Sequence, residues 1–317
     1  MKAFVTTIAL GSLLVAAPAG AQCTGTTLCA GAASVDMTWH VGSGQGQYGS
    51  PRADEDGVHP EGFEEFDPFH HQTKMVPSDG LQSRTYAKAI VVEGHDPVSG
   101  ERVKAAYVKT ELYLQQDVLT RRVGELVSGA DPLVPHFAVT GLRADRVMLG
   151  ATHNHSAPEY ASTAYGVWLF TDTFDFRMFE TTARKIAEAV KLADGALEPA
   201  RLGASVVRFG EVQRNILGPG VADDGTPAGF PHDYFDDELS VIRFERLDGT
   251  PVAAWVNLGM HPESIATVDL VSADFVGMVE RLAERDLGRP AGAGATDGPI
   301  VVWSQGSVGD VEPDQSR

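Results

Sequence analysis

The chain has 317 residues, and 25 Lys and Arg against 43 Asp and Glu give it a formal charge of -18. This excludes a basic face for nucleic acid, because a polyphosphate backbone would be repelled. With 43% hydrophobic and 21% charged residues, 34 Gly and 18 Pro, it is no disordered acidic tail or long coiled coil, and it can bury a core in one large α/β domain or two smaller ones.

The opening segment MKAFVTTIALGSLLVAAPAGAQC has Lys2, an apolar run to Ala17, then small residues at Ala19 and Ala21. It reads as a cleaved secretory signal over residues 1–21, with Gln22 starting a secreted or periplasmic chain. Nothing later resembles an apolar span of roughly 20 residues, so export without a membrane anchor is the simpler reading. Acidic charge argues against strong attraction to anionic membranes and leaves peripheral contact open. Cys23 and Cys29 flank TGTTL; they either close a small loop in an oxidising compartment or are two tolerated cysteines. Two thiols are too few for an all-cysteine zinc site.

Residues 40–83 hold GSGQGQYGSP, DEDG, FEEFDPFHH and PSDG, a turn-rich surface excursion without sustained periodicity. His59, His70 and His71 lie there, as solvated side chains or as part of a pocket wall, and Phe63, Phe66 and Phe69 are either loop anchors or an apolar mouth. YAKAIVVEG and VKAAYVKTELYL then predict two strands joined by the polar turn HDPVSGER. DVLTRRVGELVSG predicts an amphipathic helix, and RVMLGAT a short buried strand. In FDFRMFETTARKIAEAVKLA, Phe176, Phe179, Ala183, Ile186, Ala187 and Val190 recur on one helical face, with Glu180 and Arg184 as an i,i+4 pair.

ASVVRFGEV and SVIRFERLDGTPVAAWVNLG predict further strands, the latter turning at Asp248-Gly249. The intervening residues 218–238 read as a flexible loop. Asp274 starts a helix carrying Val276, Val279 and Leu282, RPAGAGATDGP breaks regular structure, and PIVVWSQG forms a last strand. No repeat or firm internal boundary emerges. The order predicts an α/β fold, a mixed β-sheet core with flanking helices.

Three strand ends carry candidate chemistry. ATHNHSAPEY places His153 and His155 two apart beyond RVMLG, where extended backbone turns both imidazoles to one side. Together they could ligate zinc or shuttle protons, although a hydrogen-bonded structural histidine has the same sequence appearance. WVNLGMHPES supplies His261 after another apolar strand, with Glu263 free to bind a metal, organise water or face solvent. VVWSQGSVGDVEPD ends in Asp310, Glu312 and Asp314, which could bind metal, position a proton donor or form a solvated acidic end. Ser304 and Ser307 stand in no recognisable serine triad.

Taken in order, ATHNHSAP, NLGMHPES, LVSADFVG and SQGSVGDVEPD resemble the N-terminal catalytic region of neutral/alkaline non-lysosomal ceramidases. That family comprises secreted or membrane-associated zinc amidases that hydrolyse ceramide to a sphingoid base and a fatty acid, using a catalytic α/β domain followed by a smaller β domain. The resemblance implies that His153 and His261 are metal ligands for zinc, that His155 is the neighbouring active-site histidine, and that a lipid or other small amide is the substrate. Where the family has GDVSPN, this chain has GDVEPD: Glu312 takes the position of the expected catalytic serine and Asp314 that of the asparagine. Ala157 replaces the glycine of the THxHSGP-like segment.

The family's remaining metal ligands, a glutamate and a tyrosine, lie beyond Arg317, so residues 22–317 read as a ceramidase-like N-terminal domain, whole or truncated. Two functions follow. One is a zinc-dependent amidase in which Glu312 acts as general base or indirect metal partner, with Asp310 and His155 assisting. The other is an inactive ceramidase-like lipid-binding protein or truncated remnant, with a general metal-dependent ester or amide hydrolase also left open. The sequence leaves the oligomeric state open.

Overall fold

The computed structural model describes residues 23–42, 78–157, 175–216, 220–221, 227–228, 235–265 and 270–314. The signal segment and residues 43–77 of the 40–83 excursion, with His59, His70, His71, Phe63, Phe66 and Phe69, lie outside them. Cys23 and Cys29 form a disulfide that closes the local loop at the start of the described chain.

Strands in chain order are β1 (Cys29–Asp36), β2 (Gly80–Leu81), β3 (Tyr86–His95), β4 (Arg102–Thr110), β5 (Val147–Ala151), β6 (Glu198–Arg208), β7 (Gln213–Asn215), β8 (Gly220–Val221), β9 (Pro227–Ala228), β10 (Glu238–Arg246), β11 (Pro251–Leu258), β12 (Leu270–Val271), β13 (Ile300–Gln305) and β14 (Val311–Pro313). Helices are α1 (Asp117–Ser128), α2 (Phe176–Gly195) and α3 (Asp274–Asp286). Both expected hairpins form. In β10–β11 the Asp248 side chain accepts the Thr250 N–H at 2.9 Å while Gly249 takes φ 92°, a conformation glycine reaches without a Cβ penalty. The 218–238 segment, read as a loop, carries the short β8–β9 pairing.

Eight strands make one mixed sheet in the order β13-β11-β10-β6-β1-β3-β4-β5. It is parallel at both ends, where β11 pairs with β13 and β4 with β5, and antiparallel between. Only Cys29↔Pro199 and Ala30↔Glu198 join β1 to β6, so the sheet bends there and its two halves face each other. Ile90 and Tyr107 from one half pack with Phe244, Val252 and Ile300 from the other, and Tyr107 stacks on Trp255 with ring centroids 4.3 Å apart. On the outer face of β1, β3, β4 and β5, α1 and α2 cover a second core.

Helix α2 buries Met178, Phe179, Ala183, Ile186, Ala187 and Val190 as its periodicity requires, each large side chain contributing about 1.5–3 kcal/mol. Asp175 caps it by accepting from the Arg177 and Met178 N–H groups. Phe176 departs from the expected stripe: it lies in the first turn, exposed, beside Phe179. Helix α3 departs further. Its inward face holds Val276, Gly277, Glu280 and Glu284, while Val279 and Leu282 are exposed.

Those glutamates have partners. Edge strand β13 offers unpaired N–H groups; Glu284 accepts that of Val301 at 3.0 Å and Glu280 that of Trp303 at 2.9 Å. Lys88 lies 2.9 Å from Glu280 and 2.6 Å from Glu284, and Lys109 lies 2.8 Å from Glu111 and 2.9 Å from Glu280. Burial pushes the Glu111 carboxyl above its ordinary range despite Lys109, whereas for Glu280 the same burial is outweighed by Lys109 and Lys88, which hold it below. Removing one member of such a cluster strands the rest. Glu280→Ala is expected to cost about 3–5 kcal/mol in urea unfolding, and Arg214→Ala, which opens a half-exposed pair with Glu312, less than about 1 kcal/mol; similar losses for both would remove the cluster's structural role.

Candidate metal centre

Strands β5 and β11 come from opposite halves of the bent sheet, and a histidine follows each. Beyond β5 the chain stays beside the continuation of β4: Thr152 N–H donates to Thr110 and Asn154 N–H to Leu112. Between them His153 takes φ 64°, so the two imidazoles converge through a left-handed kink where plain strand alternation was expected. Asn154 is buried; its Nδ2 donates to the Ser272 carbonyl at 2.6 Å and its Oδ1 accepts from Ser156 N–H at 2.9 Å, which pins the kink to the start of α3.

Past β11 the chain passes under the end of β13. A Cβ on Gly259 would stand 2.3 Å from the Ser307 carbonyl oxygen, so only glycine permits that approach. His261 then donates its backbone N–H to Val311. Asp274, at the start of α3, accepts the N–H groups of Ser264 and Ile265 and holds the following loop. Its carboxyl is pushed up by burial, against the pull of those bonds.

The result is a triangle of imidazoles. Ring centroids are 5.1 Å apart for His153 and His155, 4.7 Å for His153 and His261, and 4.9 Å for His155 and His261. One nitrogen from each lies within 4.8 Å of the others, and the three side chains could hold a metal ion. Two are oriented from behind: His153 Nδ1 donates to the Tyr113 carbonyl at 3.0 Å and His261 Nδ1 to that of Val308 at 3.2 Å. These carbonyls fix the tautomers and leave each Nε2 lone pair for the centre. The Tyr113 ring stacks on His153 and meets His155 edge-on, each at 4.7 Å between centroids. Burial, with His261 alongside, holds His153 below its ordinary pKa and so favours the neutral imidazole.

Glu263 completes the cluster, its Oε1 2.8 Å from His261 Nε2 and 3.9 Å from His155 Nε2. His155 Nε2 and His261 Nε2 are themselves 2.9 Å apart. Two imidazole nitrogens and a carboxylate oxygen thus converge, an arrangement that a shared proton or a bound cation would satisfy. That donor set, imidazole nitrogens with a nearby carboxylate, fits zinc chemistry.

The two acids expected to serve beside the histidines have other partners. Glu312, on β14, pairs with Arg214 of β7 at 3.0 Å, and Asp310 accepts from the Asn215 amide at 2.8 Å. Neither belongs to the group of side chains that could hold the ion. Ala157 is fully buried. Tyr113, Asp274 and Gln305 had drawn no site role from the sequence; a polar residue closing the apolar run IVVWSQ was the available signal for the last. Among the described residues no helix is long and apolar enough to cross a membrane.

A bent mixed sheet with flanking helices, whose strand ends turn three imidazoles onto one point, defines an α/β protein built around a candidate metal centre. The chain belongs to the neutral/alkaline non-lysosomal ceramidase family, whose N-terminal model matches residues 71–316. It is 29% identical over 244 residues to neutral ceramidase A of Dictyostelium discoideum, across 74% of this chain and 32% of that protein. With the neutral ceramidase of Pseudomonas aeruginosa it shares 26% identity over 237 residues, again 74% of this chain and 32% of the other. It therefore spans about a third of the length of these curated relatives.

The fold matches the crystal structure of the Pseudomonas aeruginosa neutral ceramidase with a TM-score of 0.65 at 20% identity, covering 92% of this chain and 41% of that one. A ceramidase complexed with C2 matches with a TM-score of 0.66 at 21% identity, over 91% and 39% of the two chains. At these identities the likeness establishes a shared fold, the ceramidase N-terminal arrangement of a mixed sheet with helices around it.

With no metal bound, a proton on His261 Nε2 would make the 2.8 Å contact a hydrogen bond, and that bond, working against burial, holds the Glu263 carboxyl below its ordinary range. A group lowered on folding stabilises the fold above its unfolded pKa and loses that contribution as pH falls through the folded value. Thermal midpoints of metal-free wild type and Glu263→Gln should therefore differ near neutrality and converge below about pH 4; a gap that widened in acid would reverse the assignment.

Proposed function

We propose that this chain is a zinc-dependent hydrolase of lipid amides, adding water across the amide of ceramide or a similar N-acyl lipid to release a fatty acid and an amine, a sphingoid base where ceramide is cleaved. The observation that carries the reading is the convergence of His153, His155 and His261 in a chain of the ceramidase family. The relatives' names, neutral ceramidases, supply the substrate class.

His153 and His261 would hold zinc, with His155 as the third nitrogen, in keeping with three protein ligands and one open position. When bound, zinc supplies Lewis acidity toward water and the amide carbonyl. The chain's own acid–base work falls to Glu263 beside the imidazoles. A carboxyl group is ionised at neutral pH by its ordinary range, so Glu263 can take a proton from the attacking water and return it to the departing nitrogen. Glu312 can act as a second base once its bond with Arg214 opens. The apolar run at residues 1–21 and the Cys23–Cys29 disulfide support a secreted or periplasmic site of action, with any membrane contact peripheral.

A second reading, a lipid-binding protein without catalysis, draws on one feature: the acid at the family's serine position is tied into an ion pair with Arg214. Zinc quantification with amide-hydrolysis assays separates the two. Wild type should carry one zinc and release fatty acid from an N-acyl sphingosine, His153→Ala and His261→Ala should lose metal and activity together, and Glu263→Gln should keep zinc while losing about 10²–10⁴-fold in rate. Full activity in Glu312→Ala would remove Glu312 from the mechanism. Lipid binding by a metal-free, inert wild type would favour the second reading.

A further inference from the structure

The two histidine-bearing strand ends belong to different halves of the sheet, and their separation decides whether the imidazoles can share an ion. Gln305, the last residue of β13, spans that gap. Its Nε2 donates one hydrogen to the Thr152 carbonyl and the other to the Met260 carbonyl, each at 2.8 Å. Thr152 immediately precedes His153, and Met260 immediately precedes His261. A single NH₂ group thus sets the distance between the backbones that present them.

The amide is also held in one orientation. Its Oε1 accepts from the Trp303 indole N–H at 3.0 Å, and Trp303 is buried with its backbone N–H fixed by Glu280. Rotating the amide end for end would turn Oε1 onto two carbonyls and Nε2 onto an indole donor, making all three contacts repulsive. Asparagine is too short for this span, and glutamate offers no donor at neutral pH.

We propose that Gln305 is a positioning residue, a strut that fixes the spacing of His153 and His261 and thereby sets the affinity and geometry of the metal site. The inference rests on the reading of the histidine cluster as a metal site. It predicts that removing the two donors relaxes the ligand spacing while each histidine keeps its own orienting carbonyl.

The test is zinc affinity on the full chain by chelator competition, read with the cobalt(II) absorption spectrum and the thermal midpoint of the metal-free proteins. Wild type should bind one zinc. Gln305→Met and Gln305→Glu should bind about 10–100-fold more weakly, the loss typical of removing an outer-shell partner, with displaced cobalt bands. Asn257→Ala is the control: that amide bonds the Ser304 carbonyl and hydroxyl across the same strand pair without touching the residues before either histidine, so zinc affinity should hold. If the Gln305 variants do not fold, Trp303→Phe, which removes the donor that orients the amide along with part of a buried ring, carries the same expectation for zinc affinity and the cobalt bands, and the thermal midpoint reports its packing loss separately. Wild-type affinity and spectrum in folded Gln305 variants would overturn the strut, as would an equal loss in Asn257→Ala. A wild type that takes no zinc would instead remove the metal reading itself, before any variant is compared.

Discussion

Lys109 is wholly buried between the two sheet halves, and its ammonium can remain charged there because carboxylates of Glu111 and Glu280 lie 2.8 and 2.9 Å away. An isolated ion in that position would cost many kcal/mol, so the surrounding elements are constrained to bring the acids to it. Glu280 arrives on α3, and the same carboxylate group receives the Trp303 N–H of β13. Lys88 and Glu284 repeat the device one strand over. Between them these contacts do what hydrophobic packing does elsewhere: they fix a helix, an edge strand and two inner strands to one another, but with directional bonds that specify register as well as proximity.

The candidate metal centre inherits its geometry from this junction. Helix α3 begins at Asp274, whose carboxylate holds the loop after His261. Strand β4 runs from Lys109 and Glu111 directly into Leu112 and Tyr113, the residues that receive the Asn154 N–H and the His153 Nδ1 proton. Strand β13 runs from Trp303 into Gln305. On the β4 side the site is one or two residues from Glu111, on β13 Gln305 is two residues from the Trp303 N–H that Glu280 accepts, and on α3 Asp274 is less than two turns from Glu280, so a shift of α3 against the sheet would be felt at the site. Backbone carbonyls do most of the orienting, and carbonyls move only with their strands.

The sequence made the periodic parts legible. Apolar alternation located both hairpins, the 3.6-residue stripe located α2, and three strand-end motifs located His153, His155 and His261, because each of these signals is local. What it concealed was non-local. Lys88 and Lys109 are single polar residues inside apolar strands, and nothing nearby in sequence says that their partners lie about 190 and 170 residues away on α3, whose exposed Val279 and Leu282 mimic a core stripe. The convergence of His153 and His155 was expected from strand alternation and is achieved by a positive φ, a conformational choice no spacing rule contains. Glu312 and Asp310 look available in the sequence because Arg214 and Asn215, their partners, sit on a strand some 95 residues earlier.

The contacts among His155, His261 and Glu263 also say what kind of occupant would suit the centre. His261 spends its Nδ1 proton on Val308, so a neutral His261 meets both the Glu263 carboxylate and the His155 nitrogen with a lone pair. Without a cation, one proton must serve two contacts of 2.8 and 2.9 Å, and whichever pair lacks it is repulsive. A divalent ion held by the histidines would draw on the inward lone pairs and remove the conflict. A metal and a proton would thus compete for the same electrons, and the Tyr113 and Val308 carbonyls would favour a metal, because they draw the Nδ1 protons of His153 and His261 outward and leave the inward nitrogens able to ligate.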